Sequence, residues 1–229
     1  MPTAIVTGAN SGIGYAFAEV LIREDYDVTA VDINVGDGLK APRCKTAQLD
    51  VTSLDSISAF VSWFGDGPLD LLLNIAGVMA PPADDALGTV TLPILTKTFN
   101  VNTFGPLLLT QALLPNLLKS DSPKLAVMSS RVGSIADNSS GGSYAYRASK
   151  SAVNSVFKNL AVELKDKGVT VVILHPGFVI TPLLPKGGET NPEAVLPEEA
   201  AGKLFKVLES KGLEETGRFW HREGYELEW

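Results

Sequence analysis

The stretch Val6–Gly14, VTGANSGIG, decides how this chain must fold. It ends an apolar run, TAIVT, and leads into apolar residues at positions 13, 17, 20 and 21, the spacing of an amphipathic helix. Glycine at positions 8, 12 and 14 permits a tight turn and a close approach of the backbone to a pyrophosphate, with helix N–H groups facing the anion. A strand before the turn and a helix after it favour this interpretation; a tight turn without a ligand is the alternative.

Similar apolar runs recur along the chain, as DVTAVD, CKTAQLD, LDLLLN, KLAVMSS and VTVVILH. They lack strict polar alternation, so they indicate strands buried on both faces, as in a parallel sheet covered by helices. We therefore predict an α/β fold, a doubly wound Rossmann-type parallel sheet with helices on both faces. The linker between Asp32 and Cys44 has room for at most one helical turn, and the Pro- and Gly-rich segment 179–196 predicts a loop long enough to act as a lid.

Composition narrows the class of protein. A chain of 229 residues with 45% hydrophobic and 20% charged residues is expected to form one domain. The net charge of −7 disfavours nucleic acid as a partner, and no apolar run is long enough to cross a membrane. The chain starts directly in a strand pattern, without a charged leader, and Cys44 is its only cysteine, so we expect a cytoplasmic protein.

Asp32 ends the second predicted strand, 18 residues after Gly14. A carboxylate at this place can accept hydrogen bonds from the ribose hydroxyls of an adenosine, and it would repel a 2′-phosphate. No arginine or lysine occurs from Val31 to Leu39, so the sequence predicts NAD as the cofactor rather than NADP. In the alternative interpretation Asp32 only begins the next turn.

The stretch SYAYRASK, residues 143–150, brings two tyrosines close to one lysine. Tyr146 and Lys150 are four residues apart and share a helical face, whereas Tyr144 does not share it. Such a pair is chemically useful, but a tyrosine and a lysine at this spacing often only pack on a surface.

Six short motifs together resemble one family. TGANSGIG, NIAG at 74–77, NVNTFGP at 100–106, SS at 129–130, YRASK at 146–150 and HPG at 175–177 have the order and spacing of the short-chain dehydrogenases/reductases. The resemblance spans nearly the whole chain. GSIADNSSGGSYAYRASK and GRFWHREGYELEW look most like the small carbonyl-reductase group related to sniffer and to the bacterial C-factor. Sniffer-type reductases favour NADP with a basic residue near the second strand, so Asp32 departs from that subgroup and its cofactor is not carried over.

The resemblance implies four catalytic residues. Tyr146 would exchange a proton with the substrate oxygen while hydride moves to or from the nicotinamide, and this chemistry needs a phenol with a lowered pKa. Lys150 would lower that pKa and bind the nicotinamide ribose. Ser130, rather than Ser129, would hold the substrate oxygen, and Asn102 would anchor a water leading to Lys150.

The predicted cofactor contacts comprise the glycine turn, the acids after the second and third strands, the small residues after the fourth strand, and the segment after HPG. They are Gly8, Asn10, Ser11, Gly12, Ile13, Gly14, Asp32, Asp50, Val51, Asn74, Ala76, Gly77, Tyr146, Lys150, Pro176, Gly177, Val179 and Thr181. His175 is expected to be a strand-end residue and His221 an exposed one. Two distant histidines make no zinc site, so no metal is predicted.

These observations predict an NAD(H)-dependent oxidoreductase that interconverts a secondary alcohol and its ketone or aldehyde. Residues 1–120 would mainly bind the dinucleotide, and residues 121–229 would carry the catalytic and substrate-binding elements. Apolar residues near the site suggest a small hydrophobic substrate: Val78, Met79, Val132, Val179 and Leu183. The alternative function is a dinucleotide-binding sensor or signalling protein of C-factor type with little turnover.

The helix Ala148–Leu164 is apolar on more than one side, so it is expected to contribute to a homodimer or homotetramer interface. In the alternative, the C-terminal tail with Phe219, Trp220, Tyr225 and Trp229 covers that side within the monomer.

Overall fold

A computed structural model describes residues 1–36, 44–183 and 191–229. Residues 37–43, most of the predicted linker after Asp32, and residues 184–190, the middle of the predicted lid, lie outside the described residues.

Within the described residues, seven strands form one parallel sheet in the order β3-β2-β1-β4-β5-β6-β7. The strands are β1 Thr3–Thr7, β2 Asp27–Asp32, β3 Lys45–Gln48, β4 Leu71–Asn74, β5 Lys124–Met128, β6 Thr170–His175 and β7 Arg218–His221. The four central strands β1, β4, β5 and β6 are almost wholly buried, because helices cover both faces of the sheet. The predicted doubly wound fold in a single domain is confirmed.

The helices separate into two layers. Their bounds are α1 Gly12–Arg23, α2 Leu54–Phe64, α3 Leu92–Phe99, α4 Gly105–Leu117, α5 Tyr144–Leu164 and α6 Pro197–Ser210. On one face α1 and α6 pack through residues such as Phe17 and Leu204, and on the other face α2, α4 and α5 pack through Phe60, Leu113 and Phe157. A π-helical segment, Asn100–Phe104, joins α3 to α4.

The seventh strand was missed by the sequence prediction, which treated the C-terminal segment as a polar tail. Arg218–His221 pairs with β6 through the register Val172↔Arg218 to His175↔His221, and Phe219 is completely buried. An edge strand of four residues, with two adjacent apolar residues between two polar ones, has too weak a pattern to be separated from a loop. His221 is therefore half-buried and not exposed as expected, and its ring stacks on Tyr225 at 4.5 Å between centroids.

The order of strands determines where a ligand can bind. In a doubly wound sheet the crevice for ligands opens at the carboxyl ends of the strands, where the strand order reverses. Here the order reverses between β1 and β4, and the glycine turn after β1 meets the segment after β4 at this point. The motifs predicted to bind a cofactor thus follow the carboxyl ends of neighbouring strands.

Candidate active site

The glycine turn after β1 has the shape of an anion cradle. Gly8 has φ +69°, and a Cβ on it would lie 2.9 Å from the Ala76 backbone. A Cβ on Gly14 would lie 2.1 Å from the Gly8 carbonyl oxygen, so α1 passes directly over the turn. Ser11 precedes α1, and its side chain makes no capping hydrogen bond with a described residue. The N–H groups at the start of this helix are therefore available to an anion.

Two other predicted contacts belong to the same turn. Gly12 begins α1 with φ +55°, and Ile13 packs partly into the core below it. The Asn10 backbone N–H donates to Asp32, while the buried side-chain oxygen of Asn10 has no partner among the described residues. A buried polar atom without a partner is costly, so this oxygen is suited to a ligand group.

Asp32 lies at the end of β2, beside the glycine turn. Its Oδ2 accepts the Asn10 N–H at 3.1 Å, and its Oδ1 accepts the Asn34 N–H at 3.0 Å. These two bonds hold a half-buried carboxylate beside the glycine turn.

A cavity of about 570 Å³ lies past the ends of β2 and β3. Asp50 lines it together with Ile33, Thr52 and the α3 side, and Asp50 Oδ1 accepts hydrogen bonds from the N–H and hydroxyl of Thr52. Val51 is only 7% exposed, and a Cβ on Gly105 would lie 2.8 Å from its side chain. The Val51 side chain is thus part of the packing against α4, and Val51 does not line the cavity.

The segment after β4 lies between the cradle and the predicted catalytic residues. The Thr7 hydroxyl accepts the N–H groups of Ile75 and Ala76 at 2.9 and 3.0 Å, which ties the segment to β1. Asn74 is buried, and its side-chain oxygen has no partner among the described residues. A Cβ on Gly77 would lie 3.8 Å from Lys150 Nζ. A glycine at this position therefore leaves the space in front of the lysine open.

The segment after β6 reaches the glycine turn from the other side. A Cβ on Gly12 would lie 3.2 Å from Thr181 Cγ2. Val179 is buried, and it forms a bridge with Val195.

Arg222 holds this segment and was not singled out from the sequence. Its Nη1 donates to the carbonyl oxygens of Pro176 at 2.8 Å and Phe178 at 2.9 Å, and its Nη2 donates to the Glu193 carbonyl at 2.9 Å. The guanidinium is buried, and Gly177 lies between the first two carbonyls with φ +70°. A single arginine in a charged tail carries no sequence signal for this role.

The structure brings Tyr146, Lys150 and Ser130 together at the carboxyl end of β5. Tyr146 lies in the first turn of α5, and Lys150 Nζ is 5.7 Å from the centre of its ring. The Ser130 side chain lies beside the Tyr146 hydroxyl and acts to lower its pKa. Ser129 is instead buried, and its hydroxyl donates to Asn154 Oδ1. This geometry favours Ser130 over Ser129 as the serine that faces the substrate.

The pKa of Tyr146 is raised, whereas a lowered value was expected from the sequence. Burial raises it to about 12, and the neighbouring Ser130 side chain opposes this rise only in part. Lys150 is 4% exposed, and its Nζ donates to the Met128 carbonyl at 2.8 Å rather than to the phenol. Burial also lowers the pKa of Lys150 to about 8. The predicted lowering of the phenol pKa by the lysine is therefore wrong for this structure, because desolvation dominates both groups.

Asn102 lies in the π-helical segment, a distortion that is frequent at functional sites. Its side-chain oxygen accepts the Val78 N–H at 2.8 Å, and its Nδ2 donates to the Val78 carbonyl at 2.9 Å and to Ser149 Oγ at 3.0 Å. Ser149 Oγ donates to the Tyr146 carbonyl at 2.8 Å. The asparagine side chain thus connects the segment after β4 to the helix that carries Tyr146.

His175 is buried at the end of β6, as expected. Its Nδ1 accepts the Arg131 N–H at 3.2 Å, and burial first of all lowers its pKa to about 3, so the ring stays neutral. Among the described residues no group of three His, Cys, Asp or Glu side chains could hold a metal ion. None of the described helices is both long and apolar enough to cross a membrane.

Three features define the class of this α/β protein. The cradle and the carboxylate after β2 suit a dinucleotide, and the tyrosine of the tyrosine-lysine-serine group can move a proton. The sequence model of the short chain dehydrogenase family matches residues 2–192. This protein therefore belongs to the short-chain dehydrogenase family, whose members bind nicotinamide dinucleotides and act as oxidoreductases on alcohol or carbonyl groups.

Curated relatives agree with this assignment. The chain is 35% identical over 232 residues to 1-hydroxy-2-glutathionyl-2-methyl-3-butene dehydrogenase of Rhodococcus sp. (strain AD45), covering 100% of both chains. It is 38% identical over 172 residues to C-signal of Myxococcus xanthus, covering 75% of this chain and 99% of that protein.

Solved structures confirm the resemblance to carbonyl reductases of the sniffer group. The NADPH-bound carbonyl reductase from chicken fatty liver superposes with a TM-score of 0.91 at 30% identity, covering 100% of this chain and 99% of that one. Carbonyl reductase Sniffer of D. melanogaster also gives a TM-score of 0.91, at 27% identity and with full coverage of both chains.

Proposed function

We propose that this protein is an NAD(H)-dependent oxidoreductase that interconverts a secondary alcohol and its ketone or aldehyde, with Tyr146 as the general acid and base. The observation that carries the proposal is the group formed by Tyr146, Ser130 and Lys150 next to Gly77, at the open end of the dinucleotide cradle. A phenol, a hydroxyl and an ammonium beside a nicotinamide site are what carbonyl reduction requires.

Each residue has a part in this proposal. When bound, the nicotinamide would supply or accept the hydride. Tyr146, with a pKa of about 12, holds its proton at neutral pH and can donate it to a carbonyl oxygen; in the oxidation of an alcohol the phenolate would take the proton back. Ser130 can hold the same oxygen in place. Lys150 carries a positive charge below its pKa of about 8 and would hydrogen-bond the nicotinamide ribose.

The preference for NAD rests on Asp32. Its carboxylate lies beside the glycine turn, where the ribose hydroxyls of the adenosine would donate hydrogen bonds to it, and a phosphate on that ribose would meet a like charge. The chicken fatty liver reductase is an NADPH-bound protein. NAD preference would therefore separate this protein from that structural neighbour.

A small hydrophobic carbonyl compound or alcohol fits the residues around the predicted reacting group. Val78 and Met79 follow the segment after β4, Val132 follows Ser130, and Val179 and Leu183 follow β6. All five side chains are apolar, which favours an apolar substrate.

A second candidate is a dinucleotide-binding sensor or signalling protein with little turnover. The observation that favours it is the 38% identity to C-signal of Myxococcus xanthus. The two candidates differ in their need for Tyr146, because a protein that only binds a dinucleotide needs no proton donor.

A panel of ketones, aldehydes and secondary alcohols, followed by the absorbance of NADH, tests the proposal. We expect turnover of at least one compound, and we expect Tyr146→Phe to lower kcat by at least about a hundredfold while NADH still binds. Tyr144→Phe is the matched control, since Tyr144 is exposed and lies on another face of the same helical turn. Bound NADH without turnover of any compound would favour the sensor, and equal losses in both variants would contradict the role of Tyr146.

We also propose that the chain forms a homodimer or homotetramer through α5. Val162 is 68% exposed on this helix, whereas Val153, Phe157 and Ala161 face the sheet. Light scattering should give a mass that is a multiple of 24.3 kDa, and a constant monomer mass over a wide concentration range would contradict the assembly.

A further inference from the structure

The start of α5 has no local cap. Ser143 precedes the helix with φ 48° and ψ 51°, in the left-handed region, and its side chain makes no capping hydrogen bond with a described residue. The first N–H groups of a helix have no partner within the helix, so those of Tyr144, Ala145 and Tyr146 need acceptors from elsewhere.

One distant residue, Asp85, accepts all three. The Tyr144 N–H points to the Asp85 backbone carbonyl at 3.4 Å, the Ala145 N–H donates to Oδ1 at 2.7 Å, and the Tyr146 N–H donates to Oδ2 at 3.1 Å. An N-cap side chain normally takes the second and third of these groups, and a negative charge is favourable at a helix N-terminus. Asp85 is 1% exposed, so these bonds satisfy carboxylate oxygens that have little access to water.

The loop that carries Asp85 is itself well bonded. The Asp85 N–H donates to the Pro81 carbonyl at 3.1 Å, and the Thr89 hydroxyl donates to the Ala83 carbonyl at 2.6 Å. The same loop leaves β4 through Val78, whose N–H and carbonyl are held by Asn102. The cap of α5 is therefore fixed to the segment that borders the dinucleotide cradle.

We propose that Asp85 is a positioning residue that fixes the turn of α5 carrying Tyr146 relative to the cradle, an inference that rests on the proposed function. Tyr146 is the third residue of the helix, in the part that frays when a cap is lost. Lys150 lies one turn further on, and its side chain is buried. Loss of Asp85 should therefore displace the phenol more than the lysine, and a displacement of about 1 Å can cost about a hundredfold in rate.

The test compares Asp85→Asn and Asp85→Ala with Asp84→Asn, the exposed neighbour in the same loop. We expect kcat to fall about tenfold in Asp85→Asn, which keeps one acceptor oxygen, and about a hundredfold in Asp85→Ala. The Kd for NADH should change less than threefold, and Asp84→Asn should match the wild type. Asp85→Asn nearly preserves the side-chain volume, so it keeps the comparison valid if the alanine variant does not fold.

Amide hydrogen exchange provides a readout that does not depend on turnover. The amides of Ala145 and Tyr146 should exchange slowly in the wild type and in Asp84→Asn, and faster in the Asp85 variants. Faster exchange with unchanged kcat in folded variants would show a purely structural cap and overturn the positioning role, while the proposed function stands. Fast exchange of both amides in the wild type would overturn the cap itself. If the wild type turns over no substrate, the proposed function fails and the positioning role of Asp85 fails with it. The exchange rates still decide whether Asp85 caps α5.

Discussion

Replacing Asp32 by asparagine should change the choice between NADH and NADPH. The substitution removes the charge but keeps the shape and one acceptor for the N–H groups of Asn10 and Asn34, which the carboxylate binds at 3.1 and 3.0 Å. Asparagine can accept one of these two bonds, so the glycine turn after β1 should largely keep its conformation. Serine at this position should also narrow the preference, but it loses both bonds.

The size of the effect follows from two contributions. Two unit charges about 4 Å apart in water repel by about 1 kcal/mol, so a phosphate with about two charges meets about 2 kcal/mol next to Asp32. The ribose hydroxyl bonds to a charged acceptor add about 1 kcal/mol in favour of NADH. The sum of about 3 kcal/mol corresponds to a preference of about a hundredfold for NADH in the wild type. Asp32→Asn should reduce this preference to within about fivefold of unity.

Calorimetric titration of the wild type and of Asp32→Asn with both dinucleotides measures this ratio directly. Asp121→Asn is the control for net charge, because Asp121 is exposed in the loop before β5, at the amino ends of the strands and away from the carboxyl end of β2. The wild-type preference should shrink as salt increases, since screening weakens the repulsion. Equal or tighter binding of NADPH by the wild type would refute the reasoning.

Two further substitutions test the catalytic group. Ser130→Ala should lower kcat by about a hundredfold without changing NADH affinity. Ser129→Ala loses the bond to Asn154, so it should lower the free energy of unfolding in urea by about 1 kcal/mol and keep most of the turnover. Equal kcat values in the two variants would contradict the assignment of Ser130 as the serine that faces the substrate. Lys150→Met should remove turnover but raise the free energy of unfolding at pH 7 by about 3 kcal/mol. The reason is that burial lowers the pKa of Lys150 from 10.5 to about 8, so the charged form is disfavoured in the folded state only. The difference in unfolding free energy between variant and wild type should have its full size below pH 8 and disappear as the pH rises to 10.5. An unchanged difference at high pH would show that the charge of Lys150 is not its cause.

The parts of the site that the sequence predicted share one property, which is that short-range spacing determines them. The glycine turn needs only the residues of VTGANSGIG, and the shared face of Tyr146 and Lys150 follows from helical geometry. Asp32 ends a strand whose four inner residues are all buried. These features could be read from the chain because neighbouring residues impose them.

Tertiary structure decided what depends on distant residues. Asp85 caps a helix 60 residues further along the chain, and Arg222 binds carbonyl groups of a segment more than 40 residues before it, without any motif at either place. The raised pKa of Tyr146 follows from desolvation, and the amount of desolvation is set by the packing of several elements. The sequence alone therefore determined the fold class, the cradle and the tyrosine-lysine pair, because local geometry and hydrophobic periodicity act within a few residues. The cap of α5, the seventh strand and the protonation state of the phenol were decided only by tertiary contacts, because each depends on groups that folding brings together from remote parts of the chain.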